Sequence, residues 1–461
     1  MFFRQILHRD LGCASYLLAD GGEAVVVDPR WDIDEYLRIA AQEKLRIAHV
    51  IDTHEHADHV SGRARLVAAT GARAHRPRRA DGSGDEPGTV AAGEEIIVGA
   101  LRLTALGTPG HRPEHLAFAI ADTSRGEEPW MLLSGDSLLV GDVARPDLAY
   151  EPAEGAHALH ETLTQLLSEL PDGVELWPAH VGGSLCGGAG LSHKTSSTIG
   201  YERRHNRPLS LDRDAFVQTV TASLPSRPPN IERIVGLNRP AEQPFPGEPP
   251  ALQSGALVEL CDRGVTVLDS RTPDEFDAGH LTGAINLPLA SAGLGTRAGW
   301  ALDPEQPLVI IASDKRAGAQ TASTLQAVGF WNLTGIAVAD TDAWWAAGLT
   351  VSHSLAWDIE RLAGGLRDEE VALVDARELA EWLAGHVRGS VHLPLVRLPE
   401  IATLPRAREG RVTAVACAAG ARAAFAASLL RRVGHDDVVR VAGGGIGDLP
   451  ACGISLAVGE D

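Results

Sequence analysis

Apolar and polar positions alternate in blocks along the first half of the chain. EAVVVDP (23–29) and LRIAHVIDTH (45–54) are short runs rich in Val and Ile, closed by polar turns, and they predict buried strands. IDEYLRIAAQEK (33–44), between them, carries helical spacing. LRLTALGTPGH (101–111), EPWMLLSGDSLL (128–139) and VELWPAH (174–180) each run from a strand-like stretch into a loop bearing polar residues. RPRRADGSGDEPG (76–88) predicts an exposed loop. Prolines 225, 228, 229, 240, 244, 246, 249 and 250 then crowd one stretch. Proline lacks an amide donor and fixes φ, so the pattern predicts a linker or an irregular strap there.

The remaining residues repeat themselves. VTVLDSRTPDEFDAGHLTGAINLPL (265–289) aligns with VALVDARELAEWLAGHVRGSVHLPL (371–395). Asp269 and Asp375, Arg271 and Arg377, His280 and His386, and Pro288 and Pro394 all keep one offset of 106. One register held that long means two copies of a small α/β unit with a parallel sheet, joined near residue 355. The boundaries read as 1–248, 249–355 and 356–461. A count of about three domains agrees with the length of 461 residues.

Composition narrows the classes of function. Lys+Arg is 41 against Asp+Glu 61, a formal charge of −20. Such a surface is a poor match for nucleic-acid phosphates or anionic lipid. Aromatics at 5% argue against stacking platforms for single strands. No segment approaches the ~18 apolar residues that cross a bilayer, and the opening MFFRQILHRDLG lacks a secretory pattern. The five cysteines are far apart with no CxxC, which fits a reducing, cytoplasmic setting with any functional cysteine acting alone.

The densest chemistry is Thr53-His54-Glu55-His56-Ala57-Asp58-His59, directly after a predicted strand. Two imidazoles two residues apart on a tight loop can converge on one metal. Asp58 and His59 can serve a second metal or orient the first ligands. His111 in GTPGHRPEH, Asp136 in SGDSLL and His180 in WPAH follow at predicted strand ends, where loops can bring distant ligands to one point. The spacing alone fills one metal site or two.

In these residues the chain resembles the metallo-β-lactamase fold superfamily over residues 1 to about 225, which implies an αββα sandwich. LLSGDSLLVGDVARPDL (132–148) and PAHVGGSLCGGAGLSHKTSSTIGYERRHN (178–206) are most similar to persulfide dioxygenases. That resemblance implies one Fe(II) per chain, held by His54, His111 and Asp136. His56, Asp58, His59 and His180 then line a vacant second site or orient the first. Cys186 is expected near the rim of the cavity, where a thiol can exchange with an incoming persulfide. Arg145 and the run Ser192-His193-Lys194, with Arg203 and Arg204, are candidates for meeting the carrier thiol.

The second repeat ends a core strand at VTAVAC (412–417) and continues Cys417-Ala418-Ala419-Gly420-Ala421-Arg422 into a helical run. A cysteine curled before a helix N-terminus faces backbone N–H groups and the positive dipole end, and Arg422 adds a cation. DARELAEW, GHVRGSVHLP and CAAGARA resemble rhodanese sulfurtransferases, which implies that Cys417 carries a persulfide. The equivalent loop of the first repeat, IIASDKRAGAQ (310–320), has no cysteine. That copy is expected to be a spacer or docking domain. AGGGIGDLPACG (442–453) reads as a last strand-to-helix turn, with Cys452 structural.

The whole order resembles fusions of a persulfide dioxygenase with a sulfurtransferase. It implies an enzyme that oxidises a low-molecular-weight persulfide, such as glutathione persulfide, with O₂ to sulfite, and then makes thiosulfate through Cys417. Two alternatives stand beside it: a binuclear zinc thioester hydrolase of the glyoxalase II type, using all seven candidate ligands, and a non-catalytic persulfide-binding scaffold. A homo-oligomer is compatible with the sequence.

Overall fold

Strand Cys13–Asp20 is buried along nearly its whole length, because both of its faces are covered. Tyr16 and Leu18 point inward with Val25, Val27, Leu103, Phe118, Ile120 and Leu133. Leu17 and Ala19 point outward with Val26, Tyr36, Ile39 and Leu66. The inward set joins two six-stranded sheets. The first sheet runs, in spatial order, Phe2–His8, Cys13–Asp20, Glu23–Val27, Arg46–Ile51, Arg73–Pro77 and Thr89–Val90. The second runs Ser197–Thr198, Glu175–Pro178, Met131–Gly135, Leu116–Asp122, Leu101–Gly107 and Glu95–Val98. Helices Asp34–Glu43 and Arg63–Thr70 cover the first sheet. Helices Pro152–Glu169, Ile199–His205 and Arg213–Thr221 cover the second. The result is the expected αββα sandwich. This computed structural model describes every residue except 9–10, 80–86, 183, 185, 189, 223, 225, 241, 292, 405, 408–409, 436 and 460–461. Part of the expected 76–88 loop therefore lies outside the described residues.

The proline-rich stretch is not wholly irregular. Ile231–Asn238 forms a helix that buries Ile231, Ile234, Val235 and Asn238. Pro228 and Pro229 precede it and Pro240 follows it, so the prolines bound the helix without interrupting its hydrogen bonds. The chain divides into two compact units. One takes in Met1–Arg227, Ile231–Phe245 and Ala327–Gly329; the other takes in Pro228–Asn230, Pro246–Gln326 and Phe330–Asp461.

The second unit holds two parallel sheets. The first, in order, is Ile285–Asn286, Thr266–Asp269, Leu308–Ala312 and Leu333–Val338. The other is Ala356–Trp357, Val438–Val441, Val412–Ala416, Val371–Asp375 and Val391–His392. The repeat seen in the sequence is a repeat of contacts. Arg271 grips Asp269 and the Gly279 carbonyl, and Arg377 grips Asp375 and the Gly385 carbonyl. His280 stacks on Phe276 at 3.7 Å between centroids, and His386 on Trp382 at 3.9 Å. Among the described residues no helix is long and apolar enough to cross a membrane.

Candidate functional site

In the first unit, the candidate ligands sit where strands end. The 52–59 loop leaves strand Arg46–Ile51 and is clamped by Asp28, at the end of strand Glu23–Val27. Asp28 accepts hydrogen bonds from Thr53 N at 2.7 Å and Thr53 Oγ1 at 2.9 Å, and lies 3.2 Å from His56 Nε2. Its φ of 51° is a left-handed value that such a clamp must enforce on a non-glycine residue. From the far side, Asn238 donates to the His56 and His59 carbonyls, both at 2.9 Å, and accepts from Ser61 N.

His54, His111 and Asp136 converge with their donor atoms within 4.8 Å of one another, all fully buried. Asp136 Oδ2 lies 3.4 Å from His111 Nε2 and 3.8 Å from His54 Nε2. His111 Nδ1 donates to the Arg145 carbonyl at 3.0 Å, which turns the Nε2 lone pair inward. Burial pushes the pKa of His54 and of His111 down, so both offer lone pairs at neutral pH. Burial alone raises Asp136, but His180 and His111 outweigh it and hold the carboxyl well below its usual range. His111 Nε2 and Asp136 Oδ2 have no hydrogen-bond partner, although both are buried. Two such orphans facing each other are costly unless a cation joins them. Two imidazoles and one carboxylate on one side form the facial set that suits a divalent ion with open positions. The residues therefore fit a metal.

A second cluster adjoins it. His56, Asp58 and His59 also bring donor atoms within 4.8 Å. His180 uses both nitrogens: Nδ1 lies 2.6 Å from Asp136 Oδ1, and Nε2 lies 3.0 Å from Asp58 Oδ2. Burial lowers His56, but Asp28 outweighs it and lifts the imidazole to about 9. Cys13 Sγ sits 3.1 Å from Asp58 Oδ2 and 3.4 Å from His180 Nε2.

The expected substrate residues fare unequally. Cys186 lies within 4.8 Å of Asp136 and His180 but is buried in the wall, not exposed at a rim. Burial pushes its thiol up to about 11, so it is protonated at neutral pH and a weak partner for exchange. The Arg145 side chain is buried against Asp147, at 2.7 and 2.8 Å, and serves the site through its carbonyl. Lys194 is exposed. Arg203 and Arg204 both pair with Asp172 and remain exposed.

In the second unit, Cys417 follows strand Val412–Ala416 and precedes helix Ala421–Arg432. The Gly420 N–H donates to Cys417 Sγ at 3.0 Å, with Gly420 at φ 94°. Arg422 reaches Glu381 with two hydrogen bonds of 2.5 and 2.9 Å. Gly445 closes over the loop so tightly that a Cβ would stand 2.4 Å from the Cys417 carbonyl oxygen. In the first copy only Ser313 and Asp314 separate strand Leu308–Ala312 from helix Lys315–Gln326. That loop lacks both the sulfur and the span to cradle one.

Residues 8–180 match the metallo-beta-lactamase superfamily, and residues 255–347 and 358–448 each match the rhodanese-like domain. The chain joins a metallo-beta-lactamase domain to two rhodanese-like domains. Over 171 residues it is 35% identical to the hydroxyacylglutathione hydrolase of Polaromonas sp., covering 36% of this chain and 61% of that protein. The chain thus spans about three fifths of the length of that relative. Over 243 residues it is 28% identical to the mitochondrial persulfide dioxygenase ETHE1 of Bos taurus, covering 52% of this chain and 87% of that one. A crystal structure of a metallo-beta-lactamase from Staphylococcus aureus superposes with a TM-score of 0.65 at 28% identity, covering 74% of this chain and 99% of that one.

Within the metallo-beta-lactamase domain, sequence reasoning missed Asp28, His115, Asn238 and Cys13. His115 Nε2 accepts the Asp136 N–H at 2.9 Å, and its Nδ1 meets Thr108 Oγ1 at 2.7 Å. The Asp-Pro at the end of EAVVVDP was the one available signal for Asp28.

Proposed function

We propose that the metallo-beta-lactamase domain is a mononuclear iron persulfide dioxygenase, and that the second rhodanese domain passes sulfane sulfur through Cys417 to form thiosulfate. The observation that carries the first part is the buried trio His54, His111 and Asp136, whose two orphaned donor atoms lack only a cation. The adjoining positions favour one metal over two, because Asp58 and His180 satisfy each other and Cys13. His54, His111 and Asp136 would hold Fe(II) with open positions beside it, and the ion would supply the redox chemistry for oxidising a persulfide sulfur with O₂ to sulfite. The balance is persulfide plus O₂ plus water to thiol plus sulfite and protons.

The chain's own groups do the positioning. Thr53 and the Arg145 carbonyl fix the rings of His54 and His111. His180 holds Asp136 by its second oxygen, Oδ1, and leaves Oδ2 for the ion. At Cys417, the Gly420 amide and the helix N-terminus face the sulfur and stabilise negative charge on it. Arg422 stands beside it, held by Glu381. The carrier is a small thiol such as glutathione, and sulfite is the acceptor.

One observation favours a second reading. His56 Nδ1 is also buried without a partner, and it belongs to the second cluster. Two zinc ions in the two clusters would make a thioester hydrolase, as the likeness to hydroxyacylglutathione hydrolases suggests. Metal analysis with paired assays separates the readings. One iron per chain with O₂ uptake on glutathione persulfide supports the dioxygenase; two zincs with thioester cleavage in the absence of O₂ supports the hydrolase.

A further inference from the structure

Beside the cysteine loop lies a small pocket lined by Glu378, Leu393, Leu398, Arg422 and Phe425, and by Arg297. Arg297 does not belong to the domain that owns Cys417. It stands on helix Leu294–Ala301 of the first, cysteine-less rhodanese domain. That helix buries Leu294, Gly295, Ala298 and Gly299 and packs against the Leu395–Thr403 segment of the second domain. The two repeats are fastened to each other elsewhere as well. Asn286 N donates to Ser428 Oγ at 3.0 Å, Arg432 donates to the Gly283 carbonyl at 2.9 Å, and Arg440 pairs with Asp274 and Asp277. Arg297 is therefore held at the pocket by a folded interface.

The two guanidiniums at this pocket differ. Arg422 is committed to the Glu381 carboxylate through both terminal nitrogens. Arg297 Nη1 is buried with no hydrogen-bond partner. Burial pushes the Arg297 pKa down and Arg422 adds to that, while Cys417 and Glu378 oppose it, so the sulfur lies within electrostatic reach of this cation. A buried guanidinium N–H without an acceptor carries a desolvation penalty that an anion in the pocket would relieve.

We propose that Arg297 binds the sulfur oxyanion, sulfite or thiosulfate, at the Cys417 site, so that the cysteine-less domain completes the binding site of its neighbour. The inference rests on the reading of Cys417 as a sulfur carrier. In the step it serves, the sulfite sulfur attacks the outer sulfur of the Cys417 persulfide anion. The S–S bond to Cys417 breaks, a new S–S bond gives thiosulfate, and the Cys417 thiolate leaves with the electron pair. Both reactants are anions, so a cation that belongs to neither lowers their repulsion. Glu378 lines the same pocket, and its carboxylate opposes the anion that Arg297 attracts.

The test uses the full chain. Arg297→Gln, Arg297→Lys and Cys417→Ser are compared with wild type for thiosulfate formation from sulfite, and for sulfur transfer to a neutral thiol acceptor such as 2-mercaptoethanol. Metal content serves as the folding control. Arg297→Gln is expected to raise KM for sulfite about tenfold or more, with a smaller change in kcat. Transfer to the neutral thiol should stay within about twofold, and Arg297→Lys should recover part of the sulfite KM. A wild-type sulfite KM in Arg297→Gln overturns the proposal, and so does an equal loss toward both acceptors. Thiosulfate formation that survives Cys417→Ser at the wild-type rate overturns the Cys417 reading itself, a failure distinguishable from that of Arg297.

Discussion

Asp136 shows how much one side chain depends on its neighbours: one oxygen is held by His180, its amide by His115, and the other oxygen is left facing His54 and His111. The sequence displayed these histidines and carboxylates plainly, since HxHxDH and the strand-end residues keep their meaning as short motifs. Their supports were illegible because they come from remote segments. Asn238 lies 182 residues from His56, whose carbonyl it holds. Removing it with Asn238→Ala strands three buried backbone groups at the loop. The expected result is a loss of about 1–3 kcal/mol in stability and about tenfold in metal affinity, read by thermal unfolding and metal titration. A second residue-scale effect concerns His280, which burial pushes down to about 4. The unfolded chain takes up a proton near pH 6.5 that the folded site refuses. This histidine's contribution is therefore full above about pH 6.5, and it is lost at about 1.4 kcal/mol per pH unit as pH falls toward 4. The drop in unfolding temperature between pH 7 and pH 5 should be smaller in His280→Gln than in wild type.

Among elements, the strands and helices drawn from hydrophobic blocks recur in the structure: Glu23–Val27, Arg46–Ile51, Asp34–Glu43, Met131–Gly135 and Val412–Ala416 fall within their expected runs. Period and bounding turns suffice where a strand is buried on both faces. Helix Ile231–Asn238 escaped because the prolines around it dominate the local signal, although none lies inside it. The glycine-rich turn after strand Val438–Val441 was legible as a turn but not as a lid on the cysteine loop. Gly445→Ala would bring a methyl within 2.3 Å of the Ala418 carbonyl oxygen and force the loop apart. Sulfur transfer should fall tenfold or more, while iron content and O₂ uptake stay at wild-type levels. Unchanged transfer would show that the loop tolerates the displacement.

Over the whole molecule, two chemistries are proposed for two kinds of domain. Cys417→Ser should keep O₂ uptake and shift the product from thiosulfate toward sulfite, as followed by ion chromatography with the slow uncatalysed reaction subtracted. The sequence announced the doubled rhodanese unit by its constant register, yet it left the cysteine-less copy with no task beyond spacing or docking. Arg297 gives that copy a task that no local pattern could reveal, because the pocket forms only when two repeats pack. The claim on which the rest depends is that the buried trio of His54, His111 and Asp136 holds a redox-active ion. Metal content and O₂ uptake with glutathione persulfide, measured on one preparation of the wild-type protein beside His111→Ala, test it most directly. The account predicts one iron per chain and persulfide-dependent O₂ consumption in the wild type, and loss of both in the variant; zinc alone with no O₂ consumption in the wild type would contradict it.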